Sequence, residues 1–319
     1  MQNRAMSEAF IRPDVAAYVD AVNAAAGPRL HQMSVPLARR VASLLGRRAD
    51  LPLERIATDR SLSFRSDDGA ELGLRLFDVR ADREPGPVML YCHGGGWVLG
   101  DTGVYASVCA EIARVLDLPV IAVDYRRAPE WPSPSGQQDC EAAARWIASN
   151  PCELPFRTTE LLLAGDSCGG AYAISTAMAL RDAPAALPVA AQLIFYPSAD
   201  LATRYASFRD YATGYLLDKH LMRWFAENFA PDDGDFRASP MAWDLRDLPP
   251  ALVVTAELDP LRDQGRAFAA GLRDADVPVV TQEAKGMVHA FITMRRAIPS
   301  AAEELAKALA AFRMLIGRG

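Results

Sequence analysis

Short apolar runs alternate with stretches of helical spacing along most of the chain after about residue 58. The apolar and β-branched runs predict eight strands, at 62–64, 71–77, 88–92, 120–124, 161–164, 191–196, 252–256 and 277–282. Helical spacing is clearest at 105–116, 137–149, 171–180, 262–274 and 301–316. Short, nearly all-apolar strands that alternate with helices are typical of an α/β protein with a mostly parallel sheet covered on both faces. The turn-like residues 67–69 between the first two strands predict an antiparallel hairpin at one edge.

Two segments, residues 1–50 and 201–231, fall outside this alternation and predict helices without strands. Their apolar stripes are Val15, Tyr18, Val19 and Val22; Leu37, Val41, Leu44 and Leu45; and Leu221, Met222, Trp224, Phe225 and Phe229. A stripe at this spacing is typical of a helix packed on a core. We expect the two segments to pack on each other as a helical cap over the sheet. The predicted organisation is therefore a cap of 1–50 and 201–231 on a catalytic domain of 51–200 and 232–319.

Composition narrows the class of protein. The 319 residues are 50% hydrophobic and 23% charged, with a net charge of −6, so a nucleic-acid partner is not expected. No run approaches the roughly 18–20 apolar residues of a membrane span, and residues 1–12 lack a signal-peptide pattern. Five cysteines without CxxC spacing indicate reduced thiols and no zinc site. We expect a cytoplasmic protein.

The pentapeptide Gly-Asp-Ser-Cys-Gly at 165–169 directly follows the predicted strand 161–164 and precedes a helical stretch of small residues. A serine on a sharp strand-to-helix turn presents its hydroxyl at the carboxyl edge of a sheet. The flanking glycines suit this turn because a Cβ there would collide with the neighbouring strand or helix. The placement indicates that Ser167 is a nucleophile.

A glycine-rich loop, His-Gly-Gly-Gly-Trp at 93–97, follows the strand 88–92. Three consecutive glycines leave backbone amides free to point at a developing oxyanion. A phosphate-binding loop is the alternative, but no Lys-Ser/Thr follows and no G-x-G-x-x-G is present. The two loops together are typical of a serine hydrolase.

A nucleophilic serine needs a general base, and the chain has four histidines. His31 lies in the N-terminal helical segment, His93 opens the glycine loop and is expected to brace it, and His220 lies in the cap helix. His289 follows the last strand, at the edge where the serine is expected, and is therefore the predicted base.

The chain order Ser…Asp…His requires an acid between Ser167 and His289. Asp259 comes just after the strand 252–256, and Pro260 can begin the next helix and hold Asp259 in the strand-end loop. Asp263 lies further into that helix and is expected to face away. Asp259 is the predicted orienting acid.

These motifs, together with Asp-Pro-Leu-Arg-Asp at 259–263, His-Ala-Phe at 289–291 and Tyr-Arg-Arg-Ala-Pro-Glu at 125–130, resemble the hormone-sensitive-lipase family of bacterial esterases, of the α/β-hydrolase superfamily. The resemblance implies roles for Ser167, Asp259 and His289 as nucleophile, acid and base. It also implies an oxyanion hole, formed by the amides of Gly95, Gly96 and Cys168, with Gly94 left open. It further implies short-to-medium acyl esters as substrates, no cofactor or metal, and a possible homodimer.

Cys168 departs from the family, which usually has alanine after the serine, and we expect its thiol to be buried and inert.

The residues predicted to line the substrate pocket are Trp97, Tyr196, Tyr215, Leu216 and Met222. Ester and amide bonds are both open to such a site, so an amidase or aryl-formamidase remains an alternative. A non-catalytic ligand receptor is disfavoured because His289 is present.

Overall fold

The computed structural model describes residues 10–231 and 237–318. The strands are β1 (Thr58–Arg65), β2 (Glu71–Asp78), β3 (Gly86–Cys92), β4 (Val120–Asp124), β5 (Thr158–Asp166), β6 (Val189–Phe195), β7 (Ala251–Leu258) and β8 (Val279–Val288). The helices are α1 (Pro13–Ala24), α2 (Val35–Ala49), α3 (Ala106–Leu116), α4 (Ser135–Ala148), α5 (Cys168–Asp182), α6 (Ala206–Asp210), α7 (Lys219–Phe229), α8 (Arg262–Asp274) and α9 (Ser300–Leu315). Each predicted strand and helix therefore has a counterpart in the structure.

One eight-stranded sheet, in the order β1-β2-β4-β3-β5-β6-β7-β8, forms the centre of the molecule. β1 pairs antiparallel with β2 and β2 with β4, whereas all pairs from β4 to β8 are parallel. The mostly parallel sheet and the edge hairpin predicted from the sequence are both confirmed.

The central strands are buried on both faces, which explains their nearly continuous apolar sequences. Along β3, Val88 and Leu90 contribute to a core beneath α4, α5 and α8, whereas Met89 and Tyr91 contribute to a core beneath α3 and α9. Successive side chains of a strand point to opposite faces, so each strand supplies both cores. The two layers of helices hold the sheet rigidly from either side.

The parallel register brings the strand ends to one edge of the sheet. Cys92 at the end of β3 pairs with Gly165 near the end of β5, and Asp166 pairs with Phe195 at the end of β6. The loops after β3, β5, β7 and β8 therefore emerge side by side. The glycine loop, Ser167, Asp259 and His289 all lie at these strand ends.

The two segments outside the sheet pattern contact each other above this edge. The rings of His31 and His220 stack with centroids 5.5 Å apart, and Asn23 donates a hydrogen bond to the carbonyl of Gly214 at 3.1 Å. The proposed domain boundaries stay a prediction, and their parts at 1–9, 232–236 and 319 lie outside the described residues.

The expectation that the apolar stripe of α2 packs inward is wrong. Leu37, Leu44 and Leu45 are 47%, 51% and 52% exposed, while Ala38 and Ala49, about 90° further around the helix from the centre of that stripe, are buried. The small residues allow α2 to lie close to the body of the protein. This close approach lets Arg39 donate hydrogen bonds to the carbonyls of Val98 and Ala128, at 2.9 and 2.8 Å.

Candidate active site

Ser167 lies at the turn between β5 and α5 in a backbone conformation that is rare for a residue with a side chain, with φ 56° and ψ −124°. Its N–H donates to the carbonyl of Phe195 at 2.9 Å, and its carbonyl accepts from the N–H of Ser198 at 3.0 Å. A Cβ at Gly169 would overlap the carbonyl oxygens of Cys92 and His93, so only glycine allows the helix to start this close to β3. The turn predicted from the pentapeptide is thus formed.

The structure brings Ser167, His289 and Asp259 together in one hydrogen-bonded chain. His289 Nε2 lies 2.9 Å from Ser167 Oγ, and His289 Nδ1 lies 2.7 Å from Asp259 Oδ2. The other carboxylate oxygen of Asp259 accepts from the N–H of Leu261 at 2.8 Å, which fixes the carboxylate. With Nδ1–H donating to the carboxylate, Nε2 is left as an acceptor for the serine hydroxyl. Ser167 and His289 are only 8% and 7% exposed.

The glycine loop lies beside the serine, and its four predicted amides differ in their partners. The N–H of Gly94 donates to Asp166 Oδ1 at 2.8 Å, so it is engaged and not available to an oxyanion. Among residues 10–231 and 237–318, nothing accepts from the amides of Gly95 and Cys168. The N–H of Gly96 faces the sulfur of Cys168. Gly95, Gly96 and Cys168 therefore remain as candidate donors, and Gly94 is excluded.

Asp166 holds the glycine loop in place through its hydrogen bonds. Its carboxylate accepts from the Gly94 amide and from the hydroxyls of Tyr91 and Tyr105, at 3.0 and 2.9 Å. Burial raises the pKa of Asp166 to about 6, against the opposing effect of these hydrogen bonds. Its position next to Ser167 was the only signal available, because both tyrosines come from distant elements.

His93 occupies the interior and does not contact Ser167 Oγ. Its Nδ1 lies 2.8 Å from the carbonyl oxygen of Gly94, and its ring stacks on Tyr125 at 4.3 Å. Burial lowers the pKa of His93 to about 4, so the ring is neutral at neutral pH. These contacts fit a residue that braces the loop, as the sequence predicted.

The side chain of Cys168 is directed away from the serine hydroxyl and toward the glycine loop. Its sulfur accepts a hydrogen bond from the N–H of Trp97 at 3.2 Å, and the residue is buried. Burial raises the pKa of this thiol to about 12, so it is not a thiolate at neutral pH.

Asp263, which the sequence analysis did not favour as the acid, accepts a hydrogen bond from the N–H of Ser207 at 3.0 Å and forms an ion pair with Arg262.

The residues predicted to line the pocket lie in different surroundings. Trp97 stacks on Phe229 of the cap with ring centroids 4.3 Å apart, and Tyr196 is buried against the ring of His289 at 4.8 Å. Tyr215 packs edge-on against Tyr211, and Leu216 and Met222 are half-buried in the cap. Their role in the pocket stays a prediction.

Phe225 of α7 was not predicted as a site residue, although its ring packs against the glycine loop. A Cβ at Gly96 would overlap its ring, and Gly96 itself has φ +60°. Only its place in an apolar helical stripe could have indicated a contact, and that pattern does not say with what. The cap therefore rests directly on the candidate oxyanion loop.

Within 10–231 and 237–318, no group of three or more His, Cys, Asp or Glu side chains is arranged to hold a metal ion. No helix in the same ranges is both long and apolar enough to cross a membrane.

Known proteins resemble this chain over three quarters of its length or more. An ethyl acetate hydrolase of Pseudomonas putida is 35% identical over 309 residues, 92% of this chain and 96% of the relative. A carboxylesterase of Mycobacterium tuberculosis is 35% identical over 250 residues, 76% and 78% of the two chains. The solved structure of an ester hydrolase from the metagenome of Lake Arreo matches with a TM-score of 0.91 at 31% identity, over 97% of this chain and 100% of that one.

A family model described as the α/β-hydrolase fold matches residues 89–293, from the strand before the glycine loop to just beyond His289. This match and the relatives above agree with the resemblance carried by the sequence motifs. The chain belongs to the α/β-hydrolase fold family, in its hormone-sensitive-lipase branch.

Proposed function

We propose that the chain is a serine carboxylesterase that hydrolyses short-to-medium acyl esters of small molecules through an acyl-enzyme intermediate. Its family and named relatives make it a carboxylic ester hydrolase. The observation that carries the mechanism is the chain of hydrogen bonds from Ser167 through His289 to Asp259.

Acylation begins when Ser167 Oγ attacks the ester carbonyl and its proton passes to His289 Nε2. Asp259 stabilises the imidazolium that forms, without itself taking the proton. The same imidazolium then protonates the alkoxide leaving group, so the alcohol departs and the acyl group remains on Ser167. In deacylation, His289 takes a proton from water, and the resulting attack releases the carboxylic acid and restores the serine.

The negative charge of each tetrahedral intermediate is stabilised by the amides of Gly95, Gly96 and Cys168. The N–H of Gly95 and that of Cys168 have no acceptor among the described residues and are available without rearrangement. The Gly96 N–H exchanges a weak acceptor, the sulfur of Cys168, for a full negative charge. Donors held in place before the charge develops supply the largest catalytic effect in reactions of this type.

The relatives' names favour ester over amide bonds. The Pseudomonas putida relative is named as a hydrolase of ethyl acetate, an ester with a two-carbon acyl group, and this supports a preference for short acyl chains here. The cap contact between Phe225 and Gly96 and the stacking of Trp97 on Phe229 bring apolar rings to the loop that would hold the ester. Such rings suit small apolar acyl or alcohol groups.

The experiment is hydrolysis of a p-nitrophenyl ester series, from acetate to dodecanoate, by the wild type, Ser167→Ala and His289→Ala. We expect activity highest on short chains and lower by about 10⁴-fold or more in each variant. Ser175→Ala is the matched control, because this serine lies in α5, the helix that follows Ser167, but donates to the carbonyl of Tyr172. Full activity in Ser167→Ala would exclude the mechanism, and faster hydrolysis of p-nitroanilides than of esters would favour an amidase.

A further inference from the structure

The outer face of α2 is an apolar surface that no described residue covers. At 100° per residue, one 140° sector of this helix carries Leu37, Leu44, Leu45, Arg40 and Arg48, all exposed, together with the half-buried Val41. Three leucines about half exposed on one helix face form a patch that needs an explanation, because a solvated helix usually turns such residues inward. We call this set of six residues the α2 face.

The helix is also strongly basic within an acidic protein. Its fifteen residues include four arginines and no carboxylate, whereas the whole chain has a net charge of −6. Arg39 is bound to Glu130 on the inner side, and Arg47 reaches Asp101. Arg40, at one edge of the α2 face, and Arg48, within it, form no ion pair with any residue in the described part of the chain.

Exposed leucines and arginines on one helix face match the surface of an anionic lipid bilayer. The apolar side chains enter the boundary between headgroups and acyl chains, and the guanidinium groups meet the lipid phosphates. A second copy of this chain fits less well, because a two-fold contact through this face would bring the same arginines of both copies together. The charge of the face therefore favours lipid over self-association.

We propose that the α2 face docks on an anionic phospholipid surface. The helix lies on the membrane without crossing it, and the exposed Leu51 and Leu53 continue the apolar surface along the chain after α2. Arg39 connects the inner side of α2 to the carbonyl of Val98, directly after the glycine loop. Docking through α2 would hold the candidate active site close to esters dissolved in the lipid. The inference does not depend on the proposed function, because binding can be measured without catalysis.

The test is co-sedimentation of the full chain with vesicles of phosphatidylcholine alone or of equal parts phosphatidylcholine and phosphatidylglycerol. We expect binding to the anionic vesicles, weakening as salt is added, and little binding to the neutral ones. Leu44→Gln/Leu45→Gln should weaken binding by about tenfold or more, because burial of two leucines is lost. Arg40→Gln/Arg48→Gln should weaken it by about fivefold per arginine and reduce the salt dependence.

Matched controls are Leu201→Gln and Arg223→Gln, an exposed leucine and an exposed arginine outside α2, which should bind like the wild type. Unchanged hydrolysis of a water-soluble ester and unchanged circular dichroism would show that each variant is folded. Wild-type protein that fails to bind anionic vesicles at low salt overturns the proposal. So does equal binding by the α2 variants. A wild-type dimer that Leu44→Gln/Leu45→Gln converts to a monomer in sedimentation velocity also overturns it, because the face would then join two copies.

Discussion

Ser167 illustrates what the sequence reveals at the scale of single residues. Its positive φ costs about 1–3 kcal/mol in a residue with a side chain, and the surrounding hydrogen bonds hold it there. The turn could be predicted because glycines mark the places where a side chain would collide. The partners of Asp166 could not, because Tyr91 and Tyr105 reach it only after β3 and α3 have packed. The pentapeptide predicts the local geometry of the turn, but it does not predict contacts with residues of distant elements.

Asp166→Asn should change how stability depends on pH. Burial raises the pKa of Asp166 to about 6, above the usual value of 3.8, so the folded state binds this proton more tightly than the unfolded state between those pH values. Asp166 therefore adds stability as pH falls from about 6 to 4 and loses that contribution as pH rises through 6. The contribution amounts to about 1.4 kcal/mol for each unit of pKa difference.

The measurement is urea unfolding of the wild type and Asp166→Asn at a series of pH values from 4 to 7. As pH falls, the free energy of unfolding of the wild type should increase relative to that of the variant. Asp20→Asn, an exposed aspartate of α1, serves as the control and should run parallel to the wild type. Curves for Asp166→Asn that also run parallel to the wild type would contradict the prediction.

At the scale of elements, the bounds of helices were more predictable than their orientations. The stripe of α2 was identified correctly as one face of a helix, but that face points outward. Periodicity defines a face without stating what covers it, and small residues on a neighbouring face can take the inner position when close approach and backbone hydrogen bonds are available. α1 shows the usual outcome, with Val15 and Val19 buried as its pattern predicts.

The end of α2 is joined to the loop after His289 by a buried ion pair. Arg295 donates to both carboxylate oxygens of Asp50 at 2.7 Å, and the two side chains are 3% and 2% exposed. Asp50→Ala should lower the free energy of unfolding by about 3–5 kcal/mol, because it leaves the buried positive charge of Arg295 without a counter-ion, with only the hydroxyl of Ser107 as a side-chain acceptor. Denaturant unfolding measures the change.

Two further variants separate the ion pair from other effects at this position. Asp50→Leu/Arg295→Met removes both charges and should recover much of the lost stability, since apolar residues can replace a buried pair. Asp244→Ala breaks the exposed pair with Arg246 and should have little effect. If Asp50→Ala were as stable as Asp244→Ala, the ion pair between Asp50 and Arg295 would contribute little to stability, and the prediction would be wrong.

At the scale of the whole molecule, burial is distributed unevenly between the sheet and the cap. In α5, twelve of fifteen residues are buried, whereas α2, of the same length, buries only Ala38 and Ala49. The free energy of local opening follows buried apolar contact, so elements that bury little open without unfolding the rest. This difference explains why the mostly parallel sheet was predictable from apolar runs and the orientation of α2 was not.

The rates of amide hydrogen exchange should therefore differ between α2 and the central strands of the sheet. We expect the amides of α2 to exchange through local opening at a lower free energy than those of β3 and β5, whose exchange should require global unfolding. Low denaturant concentrations should accelerate exchange in the sheet much more than in α2, because only global unfolding exposes a large surface. The ion pair at Asp50 holds one end of α2, but a single contact at the end of a helix does not replace a buried face. Equal protection of α2 and β5, with the same response to denaturant, would instead mean that the cap and the sheet unfold as one cooperative unit.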